Sequence, residues 1–145
     1  MVLPRFNAFE ERMKYLCLVY VEEKKLNALS KAELDALIAE ALAYDDELRK
    51  SGHYIASDAL QPVESATTLR IRNGKVSITD GPFAETKEQL GGFILIDARD
   101  LNEALHVASK IPPGRIGTIE VRPVWDLVGS VPGFRDSGNR DGPRF

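Results

Sequence analysis

An α+β domain with the element order β-α-β, hairpin, β-α-β is what the sequence predicts, on three observations. Two segments with helical periodicity open on capping-box spacings. Four segments read as strands of one sheet, and an Asn73-Gly74 pair sits between two further alternating runs. The whole chain has 145 residues, enough for one domain with a real core and little left for a second.

Met13 to Val21 is nearly continuous apolar sequence with β-branched and aromatic members, which predicts a central strand. The polar stretch Glu22 to Leu29 reads as a link. Ser30-Lys31-Ala32-Glu33 has capping-box spacing, because the Ser hydroxyl and the Glu carboxylate can satisfy each other's orphan amides. Leu34, Leu37, Ile38, Ala41, Tyr44 and Leu48 then share one helical face. Arg49 and Lys50 suit the negative end of the helix dipole, and Gly52 supplies the stop.

His53 to Leu60 alternates as a second strand, with His53, Ile55, Ser57 and Ala59 expected on one side. Thr67 to Arg72 and Lys75 to Thr79 flank Asn73-Gly74 as a hairpin. Gly92 to Asp97 is a further apolar strand. Asp100-Leu101-Asn102-Glu103 opens a second helix with an expected buried stripe of Leu101, Ala104, Leu105, Ala108 and Ile111, closed by Pro112-Pro113. Gly117 to Trp125 is the last strand. Two helices cannot cover both faces of such a sheet, so both are expected on the same face, as in ferredoxin-like folds. The other face then needs a partner or ligand, and a homodimer with two sheets facing one another around a cleft is the economical solution.

Residues 1–12 carry no clear period and read as an N-terminal extension. The domain is expected over 13–128. The Gly-, Pro- and Arg-rich residues 129–145 read as a disordered tail. A net charge of −3 offers no electrostatic footprint for nucleic acid, and no apolar run approaches the ~20 residues of a membrane span. One cysteine, Cys17, excludes an internal disulfide and fits a reduced, cytoplasmic protein.

Chemistry is most concentrated between Thr79 and Phe93. Asp80 ends a strand, Gly81-Pro82 forces a sharp exit, and Phe83 is expected to plug into the core. Gly91-Gly92 allows a bulge or a close backbone approach. Asp80 or Glu85 could act as a general base there, with Lys87 holding an anion, although turns use the same residues for structure. His53 starts a strand beside a helix end and titrates near neutrality, so it is a candidate for proton transfer. His106 falls off the buried stripe and reads as solvated. Asp45 lies at the edge of the first stripe, where it could orient a histidine. Ser57 and Asp58 point to opposite faces, so one of them at most sees a cleft. Ser57, Arg70 and Arg122 are candidate substrate-binding residues, with cross-strand pairing as the plainer role of the arginines. Two histidines without H-x-x-x-H spacing and a single cysteine give no case for a metal, and no glycine-rich phosphate motif or G-x-S-x-G elbow is present. No cofactor is expected.

Met13-Lys14-Tyr15-Leu16, Leu60-Gln61-Pro62, Thr67 to Arg70, the run TDGPFAETKEQLGGF, Ile96 to Leu101 and Glu120 to Val124 together resemble the YCII-related superfamily. The run from Asp80 to Phe83 is the tetrapeptide that names its DGPF-domain branch. The resemblance implies a ferredoxin-like fold that pairs into a dimeric α/β barrel. Some relatives in this branch lie beside extracytoplasmic-function sigma factors, and a distant one is implicated in dechlorination of an aromatic compound. YCII-like relatives proper have been proposed to use a His–Asp pair with the histidine on the first helix. No histidine lies between Ser30 and Gly52, so that assignment does not carry over. Two functions follow as expectations: a cofactor-independent small-molecule enzyme, or a metabolite-binding or regulatory module linked to transcription.

Overall fold

The computed structural model describes residues 12–130 and 132–133, so nearly all of the expected terminal segments, 1–12 and 129–145, lie outside the described residues. The sheet strands are β1 (Met13–Val21), β2 (Tyr54–Ala59), β5 (Gln89–Ala98) and β6 (Gly117–Pro123), in the order β2-β5-β1-β6. All neighbouring pairs are antiparallel, a topology compatible with a ferredoxin-like fold. Strands β3 (Thr67–Arg72) and β4 (Lys75–Asp80) pair only with each other.

The two expected helices are α2 (Lys31–Ser51) and α3 (Leu101–Ala108). Two short ones join them: α1 (Glu23–Ala28), inside the stretch expected to be a link, and α4 (Leu127–Ser130). At the start of α2 the capping box forms in full. Ser30 Oγ accepts from the Glu33 amide at 3.1 Å, and Glu33 Oε1 accepts from the Ser30 amide at 3.1 Å. The Ser30 amide first, and then the Ser30 hydroxyl, favour the charged form and hold the Glu33 carboxyl below its ordinary value. Gly52 ends the helix in the left-handed region at φ 82°.

Alternation in β1 and β5 decides which face is core. Tyr15, Cys17, Val19 and Val21 meet Ile94, Ile96 and Ala98 on one face, and α2 and α3 cover it through Tyr44, Leu48, Ala104, Val107 and Ala108. The stripe on α3 is therefore rotated from the expected one. Val107 is buried while Leu101 and Leu105 are about half exposed. The stripe on α2 is fully buried only near its end: Tyr44 and Leu48 are core, Leu34, Leu37 and Ala41 are half-buried, and Ile38 is exposed. Leu16, Leu18, Tyr20, Phe93 and Leu95 lie half-buried on the face opposite the helices.

A β-bulge in β2, between Tyr54 and Ala56, changes which residues share a side. Tyr54 pairs with Ile96 and Ser57 with Ile94, so both face the helices, which simple alternation over three positions does not allow. The hairpin turn is as expected, with Asn73 at φ 52° and Gly74 at φ 75°. Phe83 is the clear correction. It is 78% exposed, because the hairpin stands off the sheet and Gly81, at φ 97°, turns the chain without bringing the ring to any core.

Both expectations for Gly91-Gly92 are met. The β1–β5 register shifts at Val19/Tyr20 opposite Gly91, and a Cβ on Gly92 would lie 2.7 Å from the Asp58 carbonyl oxygen. Gly92→Ala should therefore lower the unfolding free energy by roughly 1–3 kcal/mol through overpacking against backbone. Gly91→Ala, whose Cβ meets nothing closer than 3.8 Å, should change it by less than about 0.5 kcal/mol. Urea denaturation of the two variants checks the contrast.

Candidate functional site

Because α2 docks only through its final turns, its first half stands away from the sheet. The gap is a cleft of about 410 Å³ between α2, α1, the ends of β1, β2 and β5, and the Ile111-Pro112-Pro113 turn. Its walls are apolar, with Leu26, Leu34, Leu37, Ile38, Ala41 and Leu42 on the helical side. Such volume and lining are those of small-molecule pockets.

Polar groups gather at one end. Ser57 Oγ donates to Asp45 Oδ2 at 2.8 Å, and the Tyr54 hydroxyl lies 2.9 Å from the same Ser57 oxygen. Arg49 stacks over the Tyr54 ring at 4.2 Å while its guanidinium donates to Asp46 at 2.6 Å. The nearest arginine on α2 is thus bound elsewhere. Sequence reasoning named Ser57 and weighed Asp45, but as an orienter for a histidine. The bulge that turns Tyr54 and Ser57 to the same side as Asp45 leaves no mark in an alternating pattern.

The remaining sequence candidates are spread over the molecule. His53 lies on the helix side but outside the cleft. Its Nδ1 is 2.7 Å from Ser51 Oγ and its Nε2 is 2.9 Å from Glu103 Oε1, while Glu103 Oε2 accepts from Arg99 Nε at 2.6 Å. The Ser51–His53–Glu103 order imitates a nucleophilic triad, but the surroundings of Ser51 are wrong for one. Ser51 is the last residue of α2, and the next two amides, Gly52 and His53, donate back to helix carbonyls, so no amide is turned to an oxyanion. The cluster instead ties the end of α2 to the first turn of α3. Burial raises the Glu103 carboxyl pKa, but the His53 hydrogen bond, the Arg99 amide and the Arg99 charge outweigh it and leave it lowered. Sequence reading used Glu103 only as part of a helix-start signature.

Asp80 closes β4 opposite Thr67, and Glu85 and Lys87 are exposed in the loop after it. Arg70 lies exposed on the hairpin across from Ser77. Arg122 bonds to Glu120 on the helix-free face of the sheet, but both belong to β6, so the pairing expected across strands is made along one strand instead. Among the described residues no hydrogen bond or ion pair links Asp80, Glu85, Lys87, Arg70, Arg122 or His53 to one another. The loop's structural work falls to residues not singled out in the sequence. Gln89 Oε1 accepts from the Glu23 amide at 2.9 Å, and Glu88 Oε1 accepts from Thr118 Oγ1 at 2.7 Å.

Cys17 is fully buried in the core, where loss of hydration pushes its thiol up to about 11 and keeps it inert. Among the described residues no group of three or more His, Cys, Asp or Glu is arranged to hold a metal, and no helix is long and apolar enough to cross a membrane.

Fold and cleft together define a small α+β domain whose long helix leaves an apolar pocket over one sheet. A family model described as the YCII-related domain matches residues 13–128, and the chain belongs to that family. A protein of Rhizobium meliloti (strain 1021), described as uncharacterised, is 39% identical over 114 residues, covering 77% of this chain and 92% of its own.

The Glu103 cluster has a pH signature. A carboxyl whose folded pKa is lowered adds stability above its ordinary value of about 4.5, and that stability is lost as pH falls through the folded value. Between about pH 5 and pH 3 the wild type should lose more stability than Glu103→Gln, read as the change in urea midpoint with pH. His53→Ala should cost roughly 1–2 kcal/mol at pH 7 by removing a charge-assisted bond.

Proposed function

We propose that this protein binds a small, largely apolar molecule in the cleft between α2 and the sheet, and that it does so as a homodimer of the DGPF branch of its family. The observation that carries the binding reading is the cleft: about 410 Å³, apolar walls, and one hydrogen-bonded Asp45–Ser57 pair at its end. A ligand seated there buries apolar area, and the polar pair fixes its orientation. Binding is favoured over cofactor-independent catalysis because Ser57 alone, among His53, Asp80, Glu85, Lys87, Arg122, Ser57 and Arg70, lines the cleft. The reading is that of a metabolite-responsive module, and a link to transcription is its natural setting. A cytoplasmic location keeps a lone thiol such as Cys17 reduced.

Two surfaces support the homodimer. An isolated two-stranded hairpin is marginal in water. Here β3 and β4 nonetheless present Leu69, Ile71, Val76 and Ile78 on one side, each more than half exposed. The helix-free sheet face offers Leu16, Leu18, Phe93 and Leu95 as a second apolar surface. In the proposed assembly these surfaces are covered by the second copy. Asp80 and Arg122 then belong to the seam, with Glu85 and Lys87 at its edge and Arg70 on the hairpin's opposite side.

Two experiments test these claims separately. N-phenyl-1-naphthylamine, an apolar probe whose fluorescence rises on burial, should brighten with the wild type and lose that response in Ala41→Trp, which fills the cleft. An unchanged response in the variant would place the probe elsewhere and remove the cleft from the reading. By sedimentation velocity the wild type should run as a dimer and the double variant Ile71→Lys, Ile78→Lys as a monomer. A monomeric wild type, or a variant that stays dimeric, would refute the proposed seam.

A further inference from the structure

Charge in the cleft is one-sided. Of the residues that line it, the only ionisable ones are Asp45 and Asp58, both acids; no Lys, Arg or His is among them. The β2–β5 register puts Asp58 opposite Phe93, on the helix-free face, so its side chain is exposed there and Asp45 is left as the cleft's own charge. Asp45 is half-buried, and its Oδ2 is used by Ser57, whereas no ion pair involves it among the described residues. Its neighbour Asp46 takes the Arg49 guanidinium instead. An acidic group beside apolar walls, with its nearby arginine engaged elsewhere, disfavours an anion and favours a donor that carries positive charge.

We propose that the ligand of this cleft is an amine: a protonated primary or secondary ammonium on an apolar body, the ammonium donating to the Asp45 carboxylate and the body lying against Leu34, Leu37 and Ile38. The assignment rests on the cleft being the binding site, and it replaces the anion-holding role expected for Lys87 and Arg122, neither of which lines it. Ser57 has a positioning part. Its hydroxyl, donating to Oδ2, fixes the carboxylate so that Oδ1 is presented to the ligand.

Three matched probes decide the question by calorimetric titration at pH 7: 4-phenylbutylamine, 4-phenylbutan-1-ol and 4-phenylbutyrate. The amine should bind about tenfold more tightly than the alcohol, as a charge-assisted bond does relative to a neutral one, and the carboxylate should bind weakest. Raising salt should weaken the amine and leave the alcohol unchanged. Asp45→Asn should bring the amine level with the alcohol. Ser57→Ala, which keeps the Asp45 charge but frees the carboxylate to rotate, should shrink the amine's advantage without abolishing it. A carboxylate that binds as well as the amine, or an amine preference that survives Asp45→Asn, overturns the amine assignment and leaves the cleft reading standing. If all three probes bind Ala41→Trp as well as they bind the wild type, or none binds the wild type at all, the cleft reading falls and the amine assignment falls with it.

Discussion

Tyr44 is the anchor on which the rest of the architecture depends. Its hydroxyl donates to the Val107 carbonyl at 2.6 Å, and its ring joins Leu48 in the core beneath α3. Burial first, with the Glu47 charge and then Cys17 as smaller contributions, pushes the phenol up to about 12, so it stays a donor across the working pH range. One buried hydrogen bond and two buried side chains thus clamp α2 near its C-terminal end. The helix continues N-terminally for several turns in which no residue is fully buried, and its capping box satisfies the first of their amides. The cleft is the direct consequence of a helix that is longer than its docking site.

The same economy explains the rest of the surface. Helices are spent on one sheet face, and the hairpin is held at its base by a bond from the Gly81 amide to the Ala66 carbonyl at 2.7 Å and another from Thr68 Oγ1 to the Gly81 carbonyl at 2.7 Å. The run from Asp80 to Phe83 therefore sits at the junction between the hairpin and the loop that follows it. Asp80 ends the hairpin, Gly81 turns the chain, and the following residues lead back to Gln89 and Glu88, which fasten the loop to α1 and β6. Its chemistry-bearing look comes from turn-making and fastening residues, with Phe83 left exposed.

Much of the fold was legible because local rules and tertiary packing agree. Nearly continuous apolar runs placed β1 and β5, Asn73-Gly74 placed the hairpin, and Ser30 with Glu33 placed the start of α2. Where the reading missed, a tertiary fact outweighed a local pattern. The eight-residue α3 is rotated so that Val107 packs beneath Tyr44, which exposes Leu101 and Leu105 despite their helical spacing. The β2 bulge moves Ser57 into register with Tyr54, and an extra residue in one strand is invisible to a period-two count. Of the site, Ser57 was found and Asp45 was noticed, but their meeting depends on that bulge. The pairing of His53 with Glu103 spans 50 residues and two elements, so no spacing rule reaches it.

The central claim is that the space left under the N-terminal half of α2 is where this protein holds its ligand. Amide chemical-shift mapping during titration with 4-phenylbutylamine tests it most directly. Perturbations should concentrate between Leu34 and Asp45 and at Ser57, Leu60, Gly91 and Gly92, with the hairpin between Thr67 and Asp80 unmoved. Shifts confined to the hairpin or to the helix-free sheet face around Leu16 and Leu95 would contradict it.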